Sequence, residues 1–116
     1  MSGKPHLHGR LSYCYDWAPI FDDPAAFRAG IREFIDNGAR RFVITIGMIT
    51  RMIREPEKVQ FLHQVCEEME VEFCSVHAMC GKDFDLNIPS PERRKDMFQD
   101  HIRAMEIASE FGCKTY

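Results

Sequence analysis

The chain has 116 residues, of which 45% are hydrophobic and 28% are charged, so its length and composition suit one globular domain. Its formal net charge of −3 excludes the strongly basic surface that binding to nucleic acid or to an anionic membrane requires. No apolar run approaches the ~18 residues of a membrane span, and the N-terminus lacks the apolar core of a signal peptide. A cytoplasmic protein is therefore expected.

The cysteine pattern argues against two kinds of cross-link. Five cysteines form an odd number with no Cys-x-x-Cys pair, which disfavours both a disulfide framework and a structural zinc site. Cys80 stands apart because it follows His77 in a polar loop. The others lie in strand-like runs or on a helix face, where a free cysteine behaves as a small buried hydrophobe: Cys14, Cys66, Cys74 and Cys113.

Apolar runs that predict β-strands alternate with amphipathic segments that predict helices. In chain order, the expected elements are strand 11–15, helix 24–37, strand 41–46, a helix from Pro56 that includes Met69, strand 71–76, helix 91–111 and a strand that begins at 113–116. Each helix starts at a proline that follows a residue able to cap it. The expected buried stripes of the three helices are Phe27, Ile31, Phe34 and Ile35, then Val59, Leu62, Cys66 and Met69, then Phe98, Ile102, Met105 and Ala108.

This alternation predicts an α/β fold in which right-handed helical crossovers join parallel strands, either in an open sheet or in part of a barrel. The glycine-rich turn of dinucleotide-binding sheets and the phosphate-binding P-loop are both absent from the sequence. We therefore expect part of a (βα)₈ TIM barrel. Three complete units are under half of the eight in a barrel, which takes ~200 residues or more, so residues 1–116 are expected to be a single domain, the N-terminal portion of that barrel.

His77 is the leading candidate for a chemical role. It lies at the carboxyl end of the third predicted strand, which is the side on which barrel active sites are built. Neutral imidazole is also the commonest metal ligand in proteins. The alternative is a histidine that is hydrogen-bonded for structural reasons.

Three further residues are candidates for substrate contact. Lys82 and Asp83 place a cation and a carboxylate in the loop after His77, although a solvated connection would have the same composition. Trp17 follows the first predicted strand. Its indole could form an apolar wall beside a sugar, or could equally fill the mouth of the barrel.

The second half of the chain resembles the xylose-isomerase-like TIM barrel superfamily, and within it the sugar phosphate isomerase/epimerase group. The residues that carry the resemblance are 75–78 (Ser-Val-His-Ala), 83–87 (Asp-Phe-Asp-Leu-Asn), 90–94 (Ser-Pro-Glu-Arg-Arg) and 110–114 (Glu-Phe-Gly-Cys-Lys). In that superfamily a histidine on the third strand, in a His-Ala-Pro setting, is commonly a metal ligand or a neighbour of the metal centre. His77 is the matching position, with Met79 where the family usually has proline.

The resemblance implies a divalent metal ion (Zn, Mn or Mg), held in part by His77, and a metal-dependent isomerase or epimerase that acts on a small sugar or sugar phosphate. Its remaining ligands and its catalytic base would lie on later strands, so this chain alone should be inactive. Apurinic-site endonucleases share the pattern more distantly, which leaves a metal-dependent phosphodiesterase as one alternative, disfavoured by the acidic net charge. A truncated half-barrel without catalytic function is the other alternative.

An incomplete barrel also predicts self-association. Parallel strand edges would stay unpaired, and the apolar faces of the strands would lack partners from across the barrel. The residues expected to be left open in this way are Val43, Ile44, Ile46, Phe73 and Val76.

Overall fold

The computed structural model describes residues 13–77 and 90–113. After a single 3₁₀ turn (Ala18–Ile20), the elements in chain order are α1 (Pro24–Asp36), β1 (Arg41–Ile44), α2 (Ile46–Arg54), α3 (Pro56–Met69), β2 (Glu72–Val76) and α4 (Pro91–Glu110). The expected mixed α/β class is confirmed, and closure into a barrel stays a prediction. None of the helices in these two stretches is long and apolar enough to cross a membrane.

The sheet is parallel, as the alternation of strands and helices predicts. β1 pairs with β2, and an irregularity after Phe42 leaves Cys74 outside the regular pairing. On the other side of β1, Tyr13 forms a parallel bridge to Phe42, with Tyr13 N–H donating to Arg41 O at 2.9 Å. The segment around Tyr13 is what the structure describes of the predicted first strand, so three parallel segments lie in the order Tyr13, β1, β2.

The core lies between this sheet and the helices, and its centre is a cluster of aromatic rings that pack mostly edge to face. Phe42 and Phe73 are register partners on the two strands, and their ring centroids are 5.4 Å apart. Trp17 packs between the sheet and α1, at 5.7 Å from Phe42 and 5.3 Å from Phe27. We call Trp17, Phe27, Phe34, Phe42 and Phe73 the aromatic core.

The predicted first and second helices are confirmed as α1 and α3, with the expected buried stripes. Phe27 and Ile31 of α1 and Leu62 of α3 have no exposed surface. The Asp23 carboxylate caps α1 by accepting a hydrogen bond from Ala26 N–H at 3.1 Å. At the start of α3 the cap differs from expectation, because no side chain caps the helix there.

A further helix, α2, occupies residues to which the sequence pattern assigned no helix. The predicted strand extends to Ile46, whereas β1 ends at Ile44 and Thr45 begins α2 by accepting a hydrogen bond from Ile49 N–H at 3.0 Å. The β-branched run continues past the true end of the strand, which hides the boundary. The helical spacing of Met48 and Met52, both buried, is the signal that marks α2.

The predicted buried face of the last helix is wrong. Phe98, Ile102 and Met105 are 56%, 40% and 47% exposed, although Ala108 is buried as expected. The buried side chains of α4 are instead Met97, Ala104, Ile107 and Ala108. α4 is apolar on two faces, and the small side chains on one of these faces let the helix approach the core closely. The apolar pattern alone does not show which of the two faces is buried.

The strand faces are also more covered than expected. Ile44, Phe73 and Val76 are 0%, 1% and 6% exposed, while Val43 and Ile46 are half-buried. The helices around β1 and β2 therefore already provide partners for side chains that the barrel interpretation leaves open. The large apolar surface that remains exposed lies on α4.

Candidate functional site

The carboxyl ends of the three parallel segments meet at one edge of the sheet, which we call the carboxyl edge. His77 directly follows β2, and its backbone N–H donates to Ile44 O, the last residue of β1, at 2.9 Å. Its side chain is exposed. The predicted location of His77 is therefore confirmed, and its role as a metal ligand stays a prediction.

Thr45 is the neighbour of His77 at this edge and was missed by the sequence analysis. It follows β1 as His77 follows β2, and it is only 8% exposed. Its hydroxyl oxygen is buried and has no hydrogen-bond partner within the described residues. A threonine hydroxyl can donate one hydrogen bond and accept two, and the sequence signal for Thr45 is its place one residue after the strand.

Trp17 lies beneath the carboxyl edge and not on its surface. It has no exposed area, and its ring packs among those of the aromatic core at centroid distances of 5.3 to 6.5 Å. Its indole N–H is buried without a partner in the part of the chain described. Of the two alternatives for this residue, burial favours the one in which Trp17 fills the core over the one in which it lines a sugar.

The start of α2 is closed by the 3₁₀ turn. A Cβ added at Gly47 would lie 2.5 Å from Ala18 Cβ, so the backbone of the first turn of α2 is in direct contact with Ala18. A helix N-terminus that follows a strand is often an anion site. Here the contact with Ala18 leaves no room for an anion at Gly47, and exposed groups of the edge must hold any ligand.

The exposed carboxylate nearest in sequence to Trp17 is Asp16, whose Oδ1 accepts a hydrogen bond from Ala18 N–H at 3.3 Å. Within 13–77 and 90–113, no three side chains of His, Cys, Asp or Glu are arranged to hold a metal ion. Lys82 and Asp83 lie outside the described residues, as does Cys80. Among the described residues, the carboxyl edge therefore contains His77, Thr45 and, at the end of the Tyr13 segment, Asp16.

A salt-bridge network connects the segment after the 3₁₀ turn with α2 and α3. Asp22 accepts hydrogen bonds from Arg51 and, at 2.7 Å, from Lys58 Nζ, and Arg51 also contacts Glu55 at 3.3 Å. The hydrogen bonds from Lys58 and Arg51 lower the pKa of Asp22 below its ordinary value. Arg51 thus links α2 to the segment after the 3₁₀ turn and to Glu55 at the start of α3.

A cavity of about 650 Å³ lies along β2 and is also lined by Arg41 of β1 and by the end of α4. Polar side chains from three elements line it, among them His63, Cys66, Glu72, Cys74 and Glu110. The imidazole of His63 stacks on Phe111 with ring centroids 3.8 Å apart and covers part of the edge of the core. This cavity is the main alternative to the carboxyl edge as a ligand site.

Comparison of the chain with models of protein families, with curated proteins and with solved structures finds no match. Any function proposed for the chain therefore depends on the geometry of the carboxyl edge and on the resemblance carried by residues 71–116.

Proposed function

We propose that this chain provides the His77 side of the metal site in a divalent-metal isomerase or epimerase of small sugars or sugar phosphates. The observation that supports this most is the location of His77. It is an exposed imidazole at the carboxyl end of a parallel strand, hydrogen-bonded through its backbone to the end of the neighbouring strand. In barrels of parallel strands the active site forms at this end.

The chemistry of the donor atoms fits the proposed metal in part. Imidazole is a good ligand for Zn²⁺, and a catalytic zinc site uses three protein ligands while harder ions use more. A bound divalent ion would polarise the hydroxy-carbonyl group of a sugar. His77 supplies one of the ligands, and the proposal requires the others, with the group that moves the proton, to come from residues outside 13–77 and 90–113.

The same edge suggests how a substrate would be held. Since Trp17 and the Thr45 hydroxyl are both buried, contacts to the sugar are assigned to Lys82 and Asp83 of the loop that follows His77. An ammonium group suits a phosphate, and a carboxylate suits sugar hydroxyls. In this proposal the buried Trp17 supports the edge from beneath without touching the substrate.

Calorimetric titration of the full chain with Zn²⁺ tests the proposal. We expect weak binding that His77→Ala weakens at least tenfold. We also expect a higher affinity for Zn²⁺ when an excess of a ketose phosphate is present, because a substrate that coordinates the bound metal binds the metal-loaded site more tightly and, by linkage, raises the affinity for the metal. His101→Ala, which removes an imidazole from α4, is the matched control and should leave the affinity unchanged. Equal affinities for the wild-type chain and His77→Ala would refute the proposal.

A further inference from the structure

α4 carries a stripe of apolar side chains that the other described elements leave uncovered. Phe98, Ile102 and Met105 are 56%, 40% and 47% exposed, and their spacing of four and three residues places them on one face of the helix. The buried residues of α4, including Ala104 and Ile107, lie on a different face of the helix. Three adjacent large apolar side chains on one helix face indicate an interaction surface. We call these three residues the α4 stripe.

The two ends of α4 carry charges of opposite sign. The first turn contains Glu92, Arg93 and Arg94 and is followed by Lys95 and Asp96, so basic residues outnumber acidic ones there, although positive charge is unfavourable near a helix N-terminus. The last turns contain Glu106 and Glu110, of which Glu110 already pairs with Arg103 at 3.4 Å and with His63 at 3.7 Å. A helix that runs antiparallel alongside, with the same distribution of charge, would place acidic groups next to the basic turns and basic groups next to the acidic turns.

Lys95 and Glu106 lie on the same flank of the stripe. They are eleven residues apart, which is close to three full turns of an α-helix. Lys95 is exposed, and the side chain of Glu106 is 61% exposed, with an ion pair to Arg103 at 3.8 Å within its own helix. Both charges are therefore accessible to a partner that covers the stripe.

We propose that the α4 stripe pairs with the α4 stripe of a second copy of this chain, with the two helices antiparallel and crossing at His101. In that arrangement Phe98 packs against Met105 of the second copy, and Lys95 faces its Glu106. The midpoint of positions 98 and 105 is 101.5, and the midpoint of positions 95 and 106 is 100.5. Each midpoint is half a residue from His101, so a single two-fold axis near His101 can form both pairs. A parallel arrangement would instead place Lys95 next to Lys95.

The small size of the α4 stripe limits how tightly two copies of the chain can associate. α4 has 20 residues and is about 30 Å long, so a single pair of helices buries less than the ~800 Å² per partner of a standard stable interface. Association should therefore be weak and should depend on concentration. The pairing does not rest on the proposed metal chemistry, since none of its residues lies at the carboxyl edge.

Sedimentation equilibrium of the full chain over a range of concentrations tests this pairing. We expect a monomer–dimer equilibrium that Phe98→Glu abolishes. Lys95→Glu and Glu106→Lys should each raise the dissociation constant about tenfold, since each replaces two ion pairs with two like-charge pairs. An equimolar mixture of these two variants should associate about as tightly as the wild-type chain, because both ion pairs form again in the mixed dimer.

Arg32→Glu on α1 and Glu67→Lys on α3 are the matched controls, because both reverse an exposed charge on a helix other than α4. Far-UV circular dichroism would verify that every variant is folded. A wild-type chain that is monomeric at all concentrations would refute the pairing and would indicate that another part of this chain, or a different protein, covers the stripe. Dimerisation that Phe98→Glu leaves unchanged, or that Lys95→Glu strengthens, would refute it as well.

Discussion

The thiols around β2 show how burial controls chemistry at the scale of single residues. Burial raises the pKa of the Cys66 thiol to about 11 and that of the Cys113 thiol to about 11. The Cys113 thiol also donates to Phe73 O, with 3.2 Å between sulfur and oxygen. Because the thiolate is the reactive form, both groups are poor nucleophiles at neutral pH. The interpretation of these cysteines as small buried hydrophobes is consistent with this environment.

Raised thiol pKa values make stability depend on pH. In the unfolded chain the two thiols ionise near 9.0, whereas in the folded chain they keep their protons up to about 11. Their contribution is thus fully present below pH 9 and is lost as the pH rises towards 11. We expect the free energy of unfolding, measured with urea, to fall over that interval, and to fall less steeply in the double variant Cys66→Ala, Cys113→Ala.

The double variant keeps every other ionisable side chain, so the difference between the two proteins isolates the two thiols. Alkylation gives an independent check, because Cys14 is exposed and should react with iodoacetamide at pH 8 well before Cys66 does. Equal alkylation rates for these two cysteines would contradict the account of buried thiols, as would identical pH dependence in the two proteins.

The sequence predicts some single residues well and leaves others open for physical reasons. The place of His77 follows from the end of a recognisable apolar strand, so it needs no knowledge of the rest of the fold. For Trp17 the sequence leaves two alternatives, because a large aromatic side chain after a strand can face the core or the solvent. The choice depends on Phe27, Phe42 and Phe73, which lie far from Trp17 in sequence.

At the scale of elements, the contact between the 3₁₀ turn and α2 sets the geometry of the carboxyl edge. Gly47→Ala would place a methyl group 2.5 Å from Ala18 Cβ, which is closer than two carbon atoms can approach. We expect a loss of stability of about 1–3 kcal/mol from overpacking, although alanine is the better helix former in isolation. Chemical denaturation of the variant measures this loss.

Ala18→Gly provides the matched control for that contact. It removes the methyl group with which the new side chain collides, so Gly47→Ala should cost little or nothing in a chain that already carries Ala18→Gly. The two substitutions should therefore show a strong favourable coupling in a double-mutant cycle. Additive effects would mean that the 3₁₀ turn does not rest on the first turn of α2.

For whole elements, the sequence pattern fails to predict helix α2 and the orientation of α4. The helix starts at Asp23-Pro24 and Ser90-Pro91 are local signals, and they predict α1 and α4 almost to the residue. The boundary at Thr45 is obscured because isoleucine and threonine favour strands on both sides of it. The orientation of α4 depends on which apolar face fits the core, and helical periodicity cannot distinguish between two such faces.

At the scale of the whole molecule, the parallel alignment of the Tyr13 segment, β1 and β2 puts the carboxyl ends of all three on one side of the sheet. All three segments run the same way, so Asp16, Thr45 and His77 follow strand ends on one side of the sheet. Three parallel segments with helical crossovers are compatible with part of a barrel and also with an open sheet. In both arrangements ligands bind beyond the carboxyl ends of the strands.

Paramagnetic mapping of a bound metal tests this account most directly. Co²⁺ added below one equivalent to the ¹⁵N-labelled chain should broaden the amide signals of Thr45, Ile46 and His77 first, and His77→Ala should abolish that pattern. The signals of Arg40 and Val71, at the amino ends of the strands, should persist. Broadening centred on His63, Glu72 and Glu110 would place the metal in the cavity along β2 and would contradict the assignment of the carboxyl edge as the functional site.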